Sequence, residues 1–183
     1  RALETDRQLA KKYPKNPMVQ QLQAEVHLVR REPKEAREAF EKALAVNPKY
    51  LPAVAGLARI DLAEKKPADA RKRFEDLIAR DPKNERALLG LAEVMTRTGA
   101  TPAELLPILQ RAVSVNPQSV NARLALIGSY LRAKDTRAAL TAAQEAELRP
   151  EVAALLEAWP TVREQYAADE LVVRIRDKEL HTA

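Results

Sequence analysis

The chain has 183 residues, 46% of them hydrophobic, 31% charged and 4% aromatic, so it accommodates one domain or one array of repeats, and wholesale disorder is excluded. Cysteine is absent, which excludes disulfides, thiolate metal sites and cysteine nucleophiles and leaves the redox compartment open. The charge of +5, from 31 basic and 26 acidic residues, is too mild to select a partner, and no apolar run approaches the roughly 18 residues a membrane-spanning helix needs.

Prolines set the phase of the chain. Pro14, Pro48, Pro82, Pro117 and Pro150 are spaced by 34, 34, 35 and 33 residues, and Pro33, Pro67 and Pro102 by 34 and 35. Ala53-Val54-Ala55-Gly56-Leu57-Ala58 returns 34 residues later as Ala87-Leu88-Leu89-Gly90-Leu91-Ala92, and Asn47-Pro48-Lys49, Asp81-Pro82-Lys83 and Asn116-Pro117-Gln118 punctuate the same phase. A period of this size predicts a pair of helices that buries its apolar faces only by stacking on its neighbours.

In this phase residues 1–16 are the second helix of a preceding partial repeat, with Ala2 at its small position. A chain that opens on Arg1 in mid-repeat, with neither initiator methionine nor signal peptide, is expected to be a fragment of a longer array; an amino-terminal capping helix is the alternative. Repeats follow over 17–50 and 51–84. In 51–65 the residues Val54, Leu57, Ala58, Ile60 and Leu62 recur at spacings near 3 and 4, one helical stripe. Pro67 then sits in a first helical turn, where its missing N–H has no intrahelical role. A second helix over about 67–80 carries Ala70, Phe74, Leu77 and Ile78 inward and ends at Asp81-Pro82, because a residue before proline is pushed out of the α region.

The third repeat, 85–119, has a one-residue insertion. Gly99 is expected to make the turn in Arg97-Thr98-Gly99-Ala100, and Thr101-Pro102-Ala103-Glu104 is a capping box. Pro107 is expected to kink the following helix or shift its start. A fourth repeat covers 120–149. After Pro150 the pattern breaks: 151–159 is a short apolar helix, Trp159-Pro160-Thr161 a stop and restart, and 161–180 an amphipathic helix with Val162, Tyr166, Val172 and Ile175. Residues 151–183 are expected to cap the array, with Trp159 as a plug.

A 34-residue helix–turn–helix period with these residues resembles the tetratricopeptide repeat (TPR). That family places small residues at helix crossings, here Ala24, Ala58 and Ala92 in first helices and Ala36, Ala70, Ala139, Ala43, Ala112 and Ala146 in second ones. A large apolar residue of the second helix is Phe40, Phe74 or Leu109, and Tyr130 matches a first-helix tyrosine. Small side chains let two helices approach while larger ones fill the grooves beside the crossing. Leu77, Leu105 and Ile127 replace small residues, which predicts looser or differently spaced packing there. The resemblance covers about 1–149 and implies an all-α fold: a TPR α-solenoid of antiparallel helix pairs in a right-handed superhelix, with a C-terminal helical cap.

Catalysis requires a nucleophile, base or metal in fixed mutual geometry. His27 lies where the family often has tyrosine, which predicts packing rather than catalysis, and His181 lies in the tail. The glycines are Gly56, Gly90, Gly99 and Gly128; they form no phosphate loop, and the three inside helices are expected to admit another backbone. Glu35, Arg37, Glu38, Glu41 and Lys42 alternate in sign as on a solvated helix face. No catalytic residue, metal site or cofactor is expected, and the scattered basic residues and scarce aromatics exclude a nucleic-acid surface.

The TPR resemblance implies that first helices line a concave groove. The inward positions are Met18, Gln21, Glu25 and Leu28, then Ala55, Arg59 and Leu62, then Arg86, Leu89, Glu93 and Arg97, then Asn121, Leu124, Leu131 and Arg132. Equivalent positions read Glu25, Arg59, Glu93, an alternating charge among small and aliphatic residues. Such a floor suits an extended peptide or a partner helix with mixed charge and apolar anchors; alternatively, these charges pair across adjacent helices. One TPR subtype grips a chaperone's terminal carboxylate with lysine and asparagines, but those places hold Gln21, Glu25 and Gly56, with Arg86 alone suitable.

A closer likeness lies in Tyr50-Leu51-Pro52-Ala53, Ala58-Arg59-Ile60-Asp61-Leu62-Ala63, Ala70-Arg71-Lys72-Arg73-Phe74-Glu75 and Asp81-Pro82-Lys83-Asn84. These are similar to the TPR-repeat lipoprotein of the bacterial PEP-CTERM/exosortase system. That resemblance implies a periplasmic or outer-membrane-anchored scaffold, associated with exopolysaccharide and surface-protein sorting, whose lipid anchor lies outside this stretch. The expected partner is a protein or peptide, with no nucleic acid and no direct membrane insertion by this stretch. Homo-association through the array ends, a cytoplasmic location and a place as the interaction domain of a larger regulatory protein are the alternatives.

Overall fold

In the computed structural model the described residues are 12–13 and 15–145. The expectations for residues 1–11, Ala146, Trp159, His181 and the cap over 151–183 therefore lie outside the described residues. Among the described residues the structure is helical, with no strand. The helices are α1 Pro17–Val29, α2 Pro33–Val46, α3 Leu51–Ala63, α4 Pro67–Arg80, α5 Glu85–Arg97, α6 Pro102–Val115, α7 Val120–Arg132 and α8 Thr136–Glu145.

Local chemistry explains where these helices start and stop. Asn16, Asn84 and Ser119 cap α1, α5 and α7, their side chains accepting from Met18 N at 2.9 Å, Ala87 N at 3.0 Å and Ala122 N at 3.2 Å. At α6 the Glu104 carboxylate accepts from Thr101 N at 2.8 Å, as the capping box requires. Pro107 lies inside α6, which continues through it to Val115. Its start is not shifted by the proline: the cap holds the first turn at Pro102, and Leu105 and Leu109, 1% and 2% exposed, anchor the helix on either side of Pro107.

Every first helix ends in the same way. Its carbonyl at His27, Asp61, Met95 or Tyr130 accepts from the N–H five residues on: Glu32 at 2.9 Å, Lys66 at 2.8 Å, Ala100 at 2.9 Å and Asp135 at 2.9 Å. This six-residue closure needs a left-handed residue just before the donor. The residues there are Arg31, Lys65, Gly99 and Lys134, with φ of 61°, 60°, 86° and 60°. Gly99 alone takes that conformation without the Cβ penalty.

The chain divides into two compact units, Arg1–Ala100 and Thr101–Ala183. The boundary falls inside the period 85–119, so α5 belongs to the first unit and α6 to the second. In the first unit α1 packs on α2, α2 on α3, α3 on α4 and α4 on α5, while the first helices α3 and α5 also touch. In the second unit α6 packs on α7 and α7 on α8. A core cluster joins Ala24, Ala36, Ala39, Phe40, Ala43, Ala53, Leu57 and Ile60 across three helices, with Leu28, Leu44 and Tyr50 packed against it.

The small residues sit at the crossings. Ala24, Ala36, Ala43, Ala53 and Ala70 have no exposed surface, so backbones approach there and Phe40 and Phe74 fill the space beside them. Leu77, Leu105 and Ile127 are 2%, 1% and 0% exposed. These larger side chains are thus themselves enclosed at the positions where the family has small ones.

Candidate functional site

Helices α3 and α5 bury every face but one. Ala53, Val54, Leu57, Ala58, Ile60 and Asp61 are buried in α3, and Ala87, Leu88, Leu91, Ala92, Val94 and Met95 in α5. What remains at 3–4 spacing is Ala55, Arg59 and Leu62 on α3 and Arg86, Leu89, Glu93 and Arg97 on α5. Arg59, Arg86, Glu93 and Arg97 are exposed, and Ala55, Leu62 and Leu89 are half-buried. Gln21, Glu25 and Leu28 on α1 are half-buried. Met18, Leu22 and Val29 form a more exposed apolar stripe there, with Val29 85% exposed.

Two tertiary hydrogen-bond sets tie this face together. Arg59 Nη2 donates to both carboxylate oxygens of Glu25 at 3.0 Å, joining positions 34 residues apart on α1 and α3. Tyr50 Oη donates to Gln21 Oε1 at 2.6 Å. The side chains of the Glu25–Arg59 pair are 41% and 55% exposed, so screening by water holds its contribution to below about 1 kcal/mol. Its effect is to neutralise two of the alternating charges. Glu93, the next equivalent position, makes no ion pair among the described residues.

In the second unit Asn121 and Arg132 are exposed and Leu124 is half-buried. Leu131 is 4% exposed and belongs to the core of that unit. Its place among the groove residues is thereby corrected: position 131 turns toward the core, and a closed side chain offers no contact to a ligand. A shallow, open cleft of about 430 Å³ at α7 and α8 is lined by Leu126, Tyr130, Arg137 and Thr141, among others. Its Asp135 carboxylate is engaged in accepting from Ala138 N at 3.0 Å.

The strongest electrostatic feature lies behind the open face. Asp61, 1% exposed, faces α2 and α4. Arg37 Nη1 lies 2.8 Å from its Oδ1, and Arg73 Nε bonds its Oδ2, with Arg73 Nη2 3.5 Å from Oδ1. Arg37 Nη2 continues to Glu64 Oε2 at 3.1 Å, and Lys66 Nζ reaches the same oxygen at 2.7 Å. Burial works against the Arg37 charge, but its hydrogen bonds to Asp61 and Glu64 offset this and raise its pKa above the ordinary guanidinium value. Hydrogen bonds from Lys66 first and Arg37 second hold the Glu64 carboxyl below its ordinary value of 4.5. Arg37 therefore departs from the solvated face expected of it. The available signal was Asp61 itself, an acid in phase with the buried stripe Val54, Leu57, Ala58.

His27 Nδ1 lies 2.7 Å from Glu32 Oε2 at the end of α1. Among the described residues no group of three or more His, Cys, Asp or Glu side chains could hold a metal ion. Among those residues no helix is long and apolar enough to cross a membrane.

The periodic pairing defines a class. The Tetratricopeptide repeat family model matches residues 30–75 and 61–103, so this stretch carries tetratricopeptide repeats. Solved structures share the solenoid fold. PilW, described as a widely conserved type IV pilus biogenesis factor, superposes with a TM-score of 0.68 at 19% identity over 99% of this chain and 84% of that one. YrrB, described as a TPR protein with an unusual peptide-binding site, gives 0.62 at 19% identity over 94% and 89%. Pseudomonas aeruginosa pilF gives 0.66 at 14% identity over 93% and 78%. At such identities the likeness is one of fold. A stretch of 60 residues is 48% identical to the fused isobutyryl-CoA mutase of Nocardia farcinica (strain IFM 10152), 33% of this chain and 6% of that protein. The chain thus spans a small fraction of the curated relative it matches.

Proposed function

We propose that this chain is a non-catalytic scaffold that holds a protein or peptide segment along the open face of its first helices. The observation that carries the reading is the single unburied stripe on each of α3 and α5, at positions repeating every 34 residues. YrrB, of similar fold, is described as having a peptide-binding site, which supports the reading. The open stripes of α3 and α5 contain no aromatic side chain to anchor a ligand, so affinity is modest. An exported bacterial surface-protein or exopolysaccharide assembly is the proposed setting, supported by the resemblance to the PEP-CTERM-system lipoprotein.

The test is panning of a random-peptide library against the whole chain, followed by binding of the selected peptides to Ala55→Trp, which blocks the α3 stripe, and to Lys42→Ser on the exposed side of α2. Peptides lost by the first variant and kept by the second support the open face. Peptides kept by Ala55→Trp, or no selection at all, overturn it. Sedimentation over a concentration series completes the test: a constant coefficient fits a scaffold, while growth favours end-to-end association of the array.

A further inference from the structure

The charges left on the open face narrow the chemistry of what it binds. On α5, at 100° per residue, Arg86, Leu89, Glu93 and Arg97 fall on one narrow stripe. Several charges elsewhere in this unit are matched: Glu25 with Arg59 across helices, and Arg71 with Glu75 and Lys72 with Asp76 along α4. Glu93 and Arg97 have the same four-residue spacing, in the order that favours pairing. Yet neither they nor Arg86 make an ion pair among the described residues. Three open charges therefore share a stripe whose balance is positive, with half-buried Leu89 as its apolar floor.

The geometry points to this stripe as the recognition element for an extended peptide bearing two carboxylate side chains with one cationic side chain between them. Arg86 and Arg97 are eleven residues apart on the helix, about 16 Å at 1.5 Å per residue. An extended chain rises about 3.3 Å per residue, so the two carboxylates stand about five residues apart. Glu93 lies nearer Arg97 and receives the cationic residue about three positions from the first acid. Potentials of opposite sign then meet at three points, which sets register and selects against basic partners. This inference rests on the open-face reading above and adds the charge pattern of the occupant.

The experiment is fluorescence anisotropy of the whole chain with a labelled peptide of the order acid–x–x–base–x–acid and with its charge-inverted counterpart. The expected result is a preference of about tenfold or more for the acidic peptide, weakened by salt. Arg86→Glu/Arg97→Glu is expected to reverse the preference, and Arg86→Gln/Arg97→Gln to abolish it. Both arginines are exposed, and an unchanged helical circular dichroism signal verifies that the variants fold. Equal binding of the two peptides, binding of neither, or an unchanged preference in the variants overturns the inference. If library peptides are lost on Ala55→Trp yet ignore both arginine variants, the charge pattern is wrong while the open face stands. If Ala55→Trp loses nothing, the open-face reading itself is wrong.

Discussion

Gly56 and Gly90 lack a side chain where Phe40 and Phe74 of the preceding second helices press against α3 and α5. A Cβ built on either glycine overlaps the phenyl ring. The ring of Phe40 has no exposed surface to retreat into, so Gly56→Ala is expected to destabilise by about 1–3 kcal/mol in urea unfolding. Gly128 is also helical, but a Cβ there meets nothing within 4 Å. Gly128→Ala is expected to stabilise by up to about 1 kcal/mol, the ordinary helix-propensity gain. The two substitutions are chemically identical and of opposite sign, so one pair of denaturation curves tests the packing assignment. The approach of another backbone expected at the three helical glycines is not what the structure shows. That the approaching group is a phenyl ring at Gly56 and Gly90, and nothing at Gly128, depends on how helices stack.

At the scale of elements, Asp61 is the point where α2, α3 and α4 are joined by charge. Its carboxylate is buried, whereas the side chains of Arg37 and Arg73 are 23% and 26% exposed and can turn to water. Removing the acid is therefore milder than removing the bases. Arg37→Met/Arg73→Met is expected to cost about 3–5 kcal/mol by leaving an uncompensated buried charge, and Asp61→Leu clearly less, both read from urea midpoints. The outer member of the network adds a pH dependence. Because Glu64 has a lowered folded pKa, its contribution is present above its ordinary value of 4.5 and is lost as pH falls through the lower folded value. Glu64→Gln is expected to flatten the acid side of the stability profile in that window, measured as melting temperature against pH. Spacing along the chain placed Arg37 on a solvated face; its partner lies on another helix, beyond the reach of any local pattern.

For the molecule as a whole, the division after Ala100 sets apart a unit whose described residues form α1 to α5 around their own core. Residues 1–100 expressed alone are expected to keep a helical signal and a cooperative melt, because α1–α5 bury their apolar stripes against one another. A non-cooperative melt of that piece refutes its independence. The family model falls on residues 30–103, the stretch whose proline phase and alanine crossings are most regular. The helices over 51–63 and 67–80 begin at the residues expected of them and end within two residues of those limits. Proline, capping side chains and 3–4 apolar spacing all act within a turn or two, so they can be read without neighbours.

Period, phase and helix limits were thus determined by the residues alone, since each depends on groups a few positions apart. Only the tertiary structure decided which charges are matched. Glu25 and Arg59 meet across 34 positions and Arg73 and Asp61 across 12, and such meetings depend on where stacked helices carry side chains in space. The same stacking closed Leu131 into a core and left Arg86, Glu93 and Arg97 facing outward together.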